Sequence, residues 1–119
     1  MPVGFDVKGL KRPRKLTVIP LRDGTGPVVD TPDRVAVDYV GQVWGAEDPF
    51  GETYSKEPAI YTIGMGDVVK AWDKALVGLK EGARVMLVSP PGLAFGRTGQ
   101  RDVPPNSTVV YVVDLLGVG

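Results

Sequence analysis

The 119 residues contain neither cysteine nor histidine. The first absence excludes disulfides, thiol nucleophiles and cysteine-built metal sites. The second removes the commonest general base and imidazole ligand, and with them the triads and metallohydrolase arrangements that need one. Any catalysis must therefore work without an imidazole, which favours a reaction needing shape and desolvation over one needing proton shuttling. No stretch approaches the roughly 20 apolar residues of a membrane span. Residues 1–6 hold no apolar run of the kind that forms the core of a secretion signal. Net charge is also zero, although unevenly spread. Residues 1–25 carry six basic groups (Lys8, Lys11, Arg12, Arg14, Lys15, Arg22) against Asp6 and Asp23, so the remainder is acidic. The basic run at 11–15 lacks the aromatic or glycine-rich pattern of a nucleic-acid surface and reads as a solvated tail. Nucleic acid is not an expected partner, and no cofactor is called for.

The chain is long enough for one hydrophobic core and not two. Its most informative stretch is 63–90. Asp67 stands where an N-cap residue would, before Val68. Val69, Trp72 and Leu76, widened by Val68 and Ala75, form an apolar stripe at helical spacing, with Lys70, Asp73 and Lys74 opposite. Gly78 then ends the pattern. A helix of about nine residues is too short to stand alone, so it must lie on a sheet, with Trp72 facing that sheet. Spacing alone reads Trp72 as a core residue.

The other segments read as strands. Residues 15–20 form an edge strand closed by Pro20. Residues 34–44 alternate, with Val35, Val37 and Tyr39 on one face, and Gly41 marks a bulge or a close backbone approach. Short strands follow near 50–54 and at 59–63. Residues 83–89 are almost continuously apolar and so central, and 108–116 close the sheet with Val109, Tyr111, Val113 and Leu115 facing inward. The connection 90–107 is longer than the ~12–15 residues usual for a structureless loop, and it carries Leu93, Phe95 and Val103. It reads as an ordered flap over an apolar cleft. The fold class is α+β: a twisted antiparallel half-barrel wrapped around one short helix. Residues 1–15 form an extended basic leader and 16–119 the folded domain.

Five segments, in order, resemble the FKBP-type peptidyl-prolyl cis-trans isomerases, the macrolide-binding immunophilins, and their bacterial branch most. They are V-D-Y-V-G at 37–41, I-G-M-G-D-V-V-K-A-W-D at 63–73, G-L-K-E-G-A-R at 78–84, L-A-F-G-R-T-G at 93–99 and V-P-P-N-S-T-V-V-Y-V-V-D-L-L at 103–116. The resemblance implies a proline pocket built from Tyr39, Phe50, Trp72, Phe95 and Tyr111, with Val68, Val69, Ala59, Leu93 and Val103 around it. Trp72 becomes the floor under the prolyl ring, and the Val69 N–H the donor to the carbonyl after the proline. It also implies catalysed Xaa-Pro rotation without a cofactor, on proline-containing peptides and unfolded proteins; a monomer is the default expectation. Macrolides such as rapamycin and tacrolimus are implied ligands. The basic lead-in resembles that of secreted actinobacterial members. Two departures stand out. The family's F-D-S-S motif appears as Phe50-Gly51-Glu52-Thr53, without its aspartate, and Phe95 stands in place of a flap tyrosine. Ala59 also occupies the position of a pocket phenylalanine. Reduced activity and weaker macrolide affinity follow from these changes; Glu52 and Asp48 are the candidate substitutes for the carboxylate, and strand alternation turns Glu52 the other way.

Overall fold

The computed structural model describes residues 13–119. Most of the basic leader, residues 1–12, lies outside them. Six strands and one helix follow in the order β1 (Thr17–Arg22), β2 (Arg34–Val43), β3 (Gly51–Glu52), β4 (Ala59–Thr62), α1 (Lys70–Ala75), β5 (Arg84–Ser89) and β6 (Val109–Val118). They form one antiparallel sheet in the order β1-β5-β6-β2-β3, with β4 also pairing to β2. The twisted sheet wraps around α1, as the sequence pattern implies.

The strand signals translate directly into burial. On β6, Val109, Tyr111, Val113 and Leu115 are all buried, because a period of two sends alternate side chains to one face. Val35 and Val37 of β2 and Val85 and Leu87 of β5 meet them, and Ala71, Trp72, Ala75 and Leu76 close the core from the helix side. The apolar run 83–89 is central, since β5 lies between β1 and β6. No helix among the described residues is long and apolar enough to cross a membrane.

Two local expectations need correction, and a third resolves to one of its alternatives. Strand β1 does not close at Pro20 but runs on to Arg22. It pairs only with β5, so a residue without an N–H is tolerated there, and the register shifts between Pro20 and Arg22. Gly41 marks a close approach and not a bulge, the β2–β6 irregularity falling instead between Ala36 and Val37. Asp67 does not cap the helix. Its Oδ2 accepts the Thr62 N–H at 2.9 Å, tying the turn ahead of the helix to β4. The helix consequently begins at Lys70, with an extended Val69 as N-cap and no side-chain cap. Asp73 reinforces the turn by accepting the Gly64 N–H at 2.8 Å. Gly78 ends the helical segment at φ +91°, a conformation that favours glycine.

Candidate functional site

Each side of the hollow comes from a different element. Tyr39 projects inward from β2 and Tyr111 from β6, and Phe50 precedes β3. Trp72 rises from α1, and Phe95 comes over from the connection between β5 and β6. That connection is ordered by its own hydrogen bonds. After a 3₁₀ turn at Pro91–Leu93, Gly96 N–H donates to Pro91 O at 2.8 Å and Asn106 N–H to Gly96 O at 2.7 Å. Gln100 and Val103 exchange both backbone bonds, at 3.0 and 2.9 Å. Phe95 is thereby held perpendicular to Phe50, with ring centroids 5.7 Å apart.

The five rings converge. Trp72 lies 5.1 Å from Tyr39 and 5.3 Å from Tyr111 between centroids, each nearly edge to face. Phe50 lies 5.8 Å from Tyr111. Such geometry contributes about 0.5–1.5 kcal/mol per pair beyond the area it buries. Together the rings enclose a hollow of about 300 Å³ that opens to solvent, at the small end of ligand sites. A depression of about 380 Å³ beside β1 is larger, but Pro20, Arg22, Asp23 and Lys80 around it offer no aromatic wall.

Of the other residues expected around the pocket, Val68 and Val69 line the hollow, as does Gly51. Ala59, Leu93 and Val103 do not. Ala59 packs half-buried against the core from β4, where its single methyl does not reach the hollow. Leu93 sits half-buried in the 3₁₀ turn, and Val103 is a core residue with 2% of its surface exposed. Three liners escaped the sequence reading, namely Tyr61, Asp67 and Gln100. Tyr61 was accessible to it. The alternation A-I-Y-T-I puts Tyr61 on the same face of β4 as Ala59 and leaves Ile60 outside, 60% exposed. Its ring stands 5.8 Å from Trp72, nearly perpendicular, so Trp72 is flanked by three tyrosines.

The electrostatics are those of a desolvated site. Burial pushes the Tyr111 phenol well above its ordinary range, with Tyr39 and Tyr61 adding to the effect. Burial likewise raises Tyr39, helped by the hydrogen-bonded Tyr61. The Trp72 Nε1 is buried and has no hydrogen-bond partner. Glu52 takes no part in the hollow. It accepts the Ser55 N–H at 2.9 Å and the Ser55 hydroxyl, and these bonds hold its carboxyl below the usual range. No three acidic side chains gather as a metal site among the described residues.

These shifts predict the pH profile of stability. A phenol raised in the folded state ionises first in the unfolded chain, so stability is complete below pH ~10 and falls as pH rises beyond it. Asp114, on the outer face of β6, behaves oppositely. Burial would raise it, but hydrogen bonds from Arg84 and Tyr54 and the charges of Arg84 and Arg22 hold it below its usual value. Its contribution is lost only as pH falls below ~4. Urea midpoints should therefore stay level from about pH 5 to 9 and drop on either side. A step near pH 6.5 would contradict this account.

Comparison with known proteins agrees with the geometry. Residues 26–116 match the family described as FKBP-type peptidyl-prolyl cis-trans isomerase. The chain is 31% identical over 116 residues to an FK506-binding protein of Streptomyces anulatus, covering 95% of this chain and 94% of that one. It is 35% identical over 96 residues to the isomerase FkpA of Escherichia coli, covering 80% of this chain but only 34% of FkpA. Longer relatives are thus matched over about a third of their length. Among solved structures, FkpA superimposes with a TM-score of 0.79 at 34% identity, over 87% of this chain and 47% of that one. A Pseudomonas syringae peptidyl-prolyl cis-trans isomerase gives 0.78 at 28% identity, over 98% and 80%.

Proposed function

This chain belongs to the FKBP-type peptidyl-prolyl cis-trans isomerase family, and we propose that it accelerates rotation about Xaa-Pro bonds in folding proteins. The substrates are proline-containing peptides and unfolded chains, bound by a monomer, and macrolides compete for the same hollow with reduced affinity. The observation that carries this reading is the convergence of Tyr39, Phe50, Trp72, Phe95 and Tyr111 on one solvent-open hollow. Its walls supply no histidine or cysteine.

The chemistry fits such a site. The amide barrier of ~18–20 kcal/mol comes from C–N resonance, and uncatalysed exchange takes ~10–100 s at 25 °C. Resonance separates charge in the planar ground state, which water stabilises more than the twisted transition state. An aromatic hollow withdraws that water and lowers the barrier without a covalent step. Trp72 supports the prolyl ring. Val69, extended just ahead of the helix, offers its N–H to the carbonyl that follows the proline. Each ~1.4 kcal/mol removed is worth tenfold in rate.

A second reading is favoured by one observation. Gly51 lines the hollow without a side chain, and Glu52 is tied to Ser55. The hollow then holds proline segments without turning them over, as a binding module or chaperone. Proline-limited refolding with catalytic amounts of protein separates the two. Acceleration that rapamycin suppresses supports the isomerase, and stoichiometric retention alone supports the binder. Gly51→Asp tests the missing carboxylate. A Cβ at position 51 would meet the Tyr39 hydroxyl at 3.5 Å, an ordinary contact, so the site can accept the group beside a phenol donor. Activity on tetrapeptides is expected to rise about threefold to tenfold, or ~0.7–1.4 kcal/mol in the barrier. An unchanged kcat/KM would show that no carboxylate is needed there.

A further inference from the structure

The wall made by Phe50 and Gly51 lies at the start of β3, a strand of two residues at the end of the sheet, with Phe50 just ahead of it. Two paired residues are too little ladder to fix an edge segment. Phe50 N–H donates to Gly41 O at 2.9 Å, and the rest of the fastening is made by the two residues after the strand, Thr53 and Tyr54. Thr53 is buried and locks onto β2 three times. Its N–H donates to Tyr39 O at 2.9 Å, its Oγ1 accepts the Tyr39 N–H at 2.8 Å, and the same hydroxyl donates to Asp38 Oδ1 at 2.8 Å. Tyr54 reaches further and donates its hydroxyl to Asp114 Oδ2 on β6.

Asp38 and Asp114 lie directly opposite each other on adjacent strands, both on the sheet face away from the hollow. Like charges so placed repel. Here they are compensated: Arg84 Nε donates to Asp114 Oδ1 at 2.7 Å and Arg22 Nη2 at 3.2 Å, and the two hydroxyls take one oxygen from each carboxylate. The Asp114 side chain is only 5% exposed, where charge-assisted bonds are strongest. Strands β1, β5, β6 and β2 are thereby joined to the segment that carries one wall of the hollow.

We propose that Thr53, Tyr54 and Asp114 are positioning residues: from the opposite face of the sheet they hold Phe50 and Gly51 against Phe95 and Tyr111 and so set the width of the hollow. The kinetic consequence rests on the isomerase reading; the geometric one does not. Tyr54→Phe removes one hydroxyl and keeps the ring. Thr53→Val keeps the branched shape and removes the other. Each is expected to raise KM for a Xaa-Pro tetrapeptide about fivefold while leaving kcat within about twofold, the mark of weakened uniform binding. Thr53→Ser, which keeps the hydroxyl, should restore most of the loss. Val88→Ala, a cavity on β5 outside this network, should lower the thermal midpoint without raising KM.

Aromatic NMR supplies a readout independent of turnover. The Phe50–Phe95 ring contact should weaken in Tyr54→Phe and Thr53→Val and persist in Thr53→Ser and Val88→Ala. If the wild-type protein proves inactive, loss of that contact still supports the positioning role while the isomerase reading falls. An intact Phe50–Phe95 contact in Tyr54→Phe, or a KM no higher than that of Val88→Ala, would overturn the proposal.

Discussion

Replacing Trp72 with alanine is expected to reduce kcat/KM on a Xaa-Pro tetrapeptide at least thirtyfold, ~2 kcal/mol in the barrier, and to destabilise the fold by about 3–5 kcal/mol. Both effects are expected because the indole is a core residue and, on the proposed reading, also the floor under the prolyl ring. It is 3% exposed, and Tyr39, Tyr61 and Tyr111 all lean on it edge to face. Since a domain of this size has only ~5–15 kcal/mol in total, alanine alone could confuse loss of fold with loss of site. Trp72→Leu is the sharper variant. It keeps apolar volume for the core but removes the flat surface that the prolyl ring would rest on. Kinetics should then fall about tenfold while the thermal midpoint falls modestly. Wild-type kcat/KM in a fully folded Trp72→Leu protein would reduce Trp72 to a packing residue.

Gly41→Ala should have the second-largest effect, for a steric reason. A Cβ at position 41 would stand 2.7 Å from Phe50 Cζ and 2.7 Å from Tyr111 Cε1. Real contacts are essentially never so short, so one ring or the backbone must move. Gly41 pairs with Tyr111 on one side and Gly51 on the other, so the strain falls on two walls together. Overpacking of this kind costs about 1–3 kcal/mol of stability. Displacing Phe50 or Tyr111 should lower kcat/KM about tenfold. Urea denaturation and tetrapeptide kinetics on the same preparation measure both. Normal values for the two would mean that the rings yield freely and that their spacing does not define the site.

The sequence made the architecture and the principal rings legible because each rests on local signals. Alternation placed Val35, Val37 and Tyr39 on one face of β2, and helical spacing turned Trp72 inward. The ordered segments matched Phe95 and Tyr111 to a pocket, and the altered F-D-S-S motif at 50–53 matched Phe50. Tyr61 carries the same alternation signal as Ala59 but lies in none of the five segments, so nothing in them marks it as lining a pocket. The tasks of Asp67 and Asp73 were not legible, since one carboxylate serves the Thr62 N–H at the end of β4, the other the Gly64 N–H in the turn after it, and neither serves the helix start. Least legible was the polar network behind the sheet. The Tyr54–Asp114 bond joins residues 60 positions apart, and neither periodicity nor turn chemistry records a partner at that distance.

The arch that carries Phe95 braces itself. Its backbone bonds tie Leu93 to Pro90, Ala94 and Gly96 to Pro91, Gly99 to Phe95, Gln100 to Val103 and Asn106 to Gly96, all within the same connection. On the proposed reading, a guest entering beneath it would meet a connection already ordered by those bonds, so that part of the entropy of immobilising a loop, often a large share of what association must overcome, would be spent during folding. Entry and exit would then resemble passage through a fixed doorway more than the closing and reopening of a gate that limits turnover in many lidded enzymes.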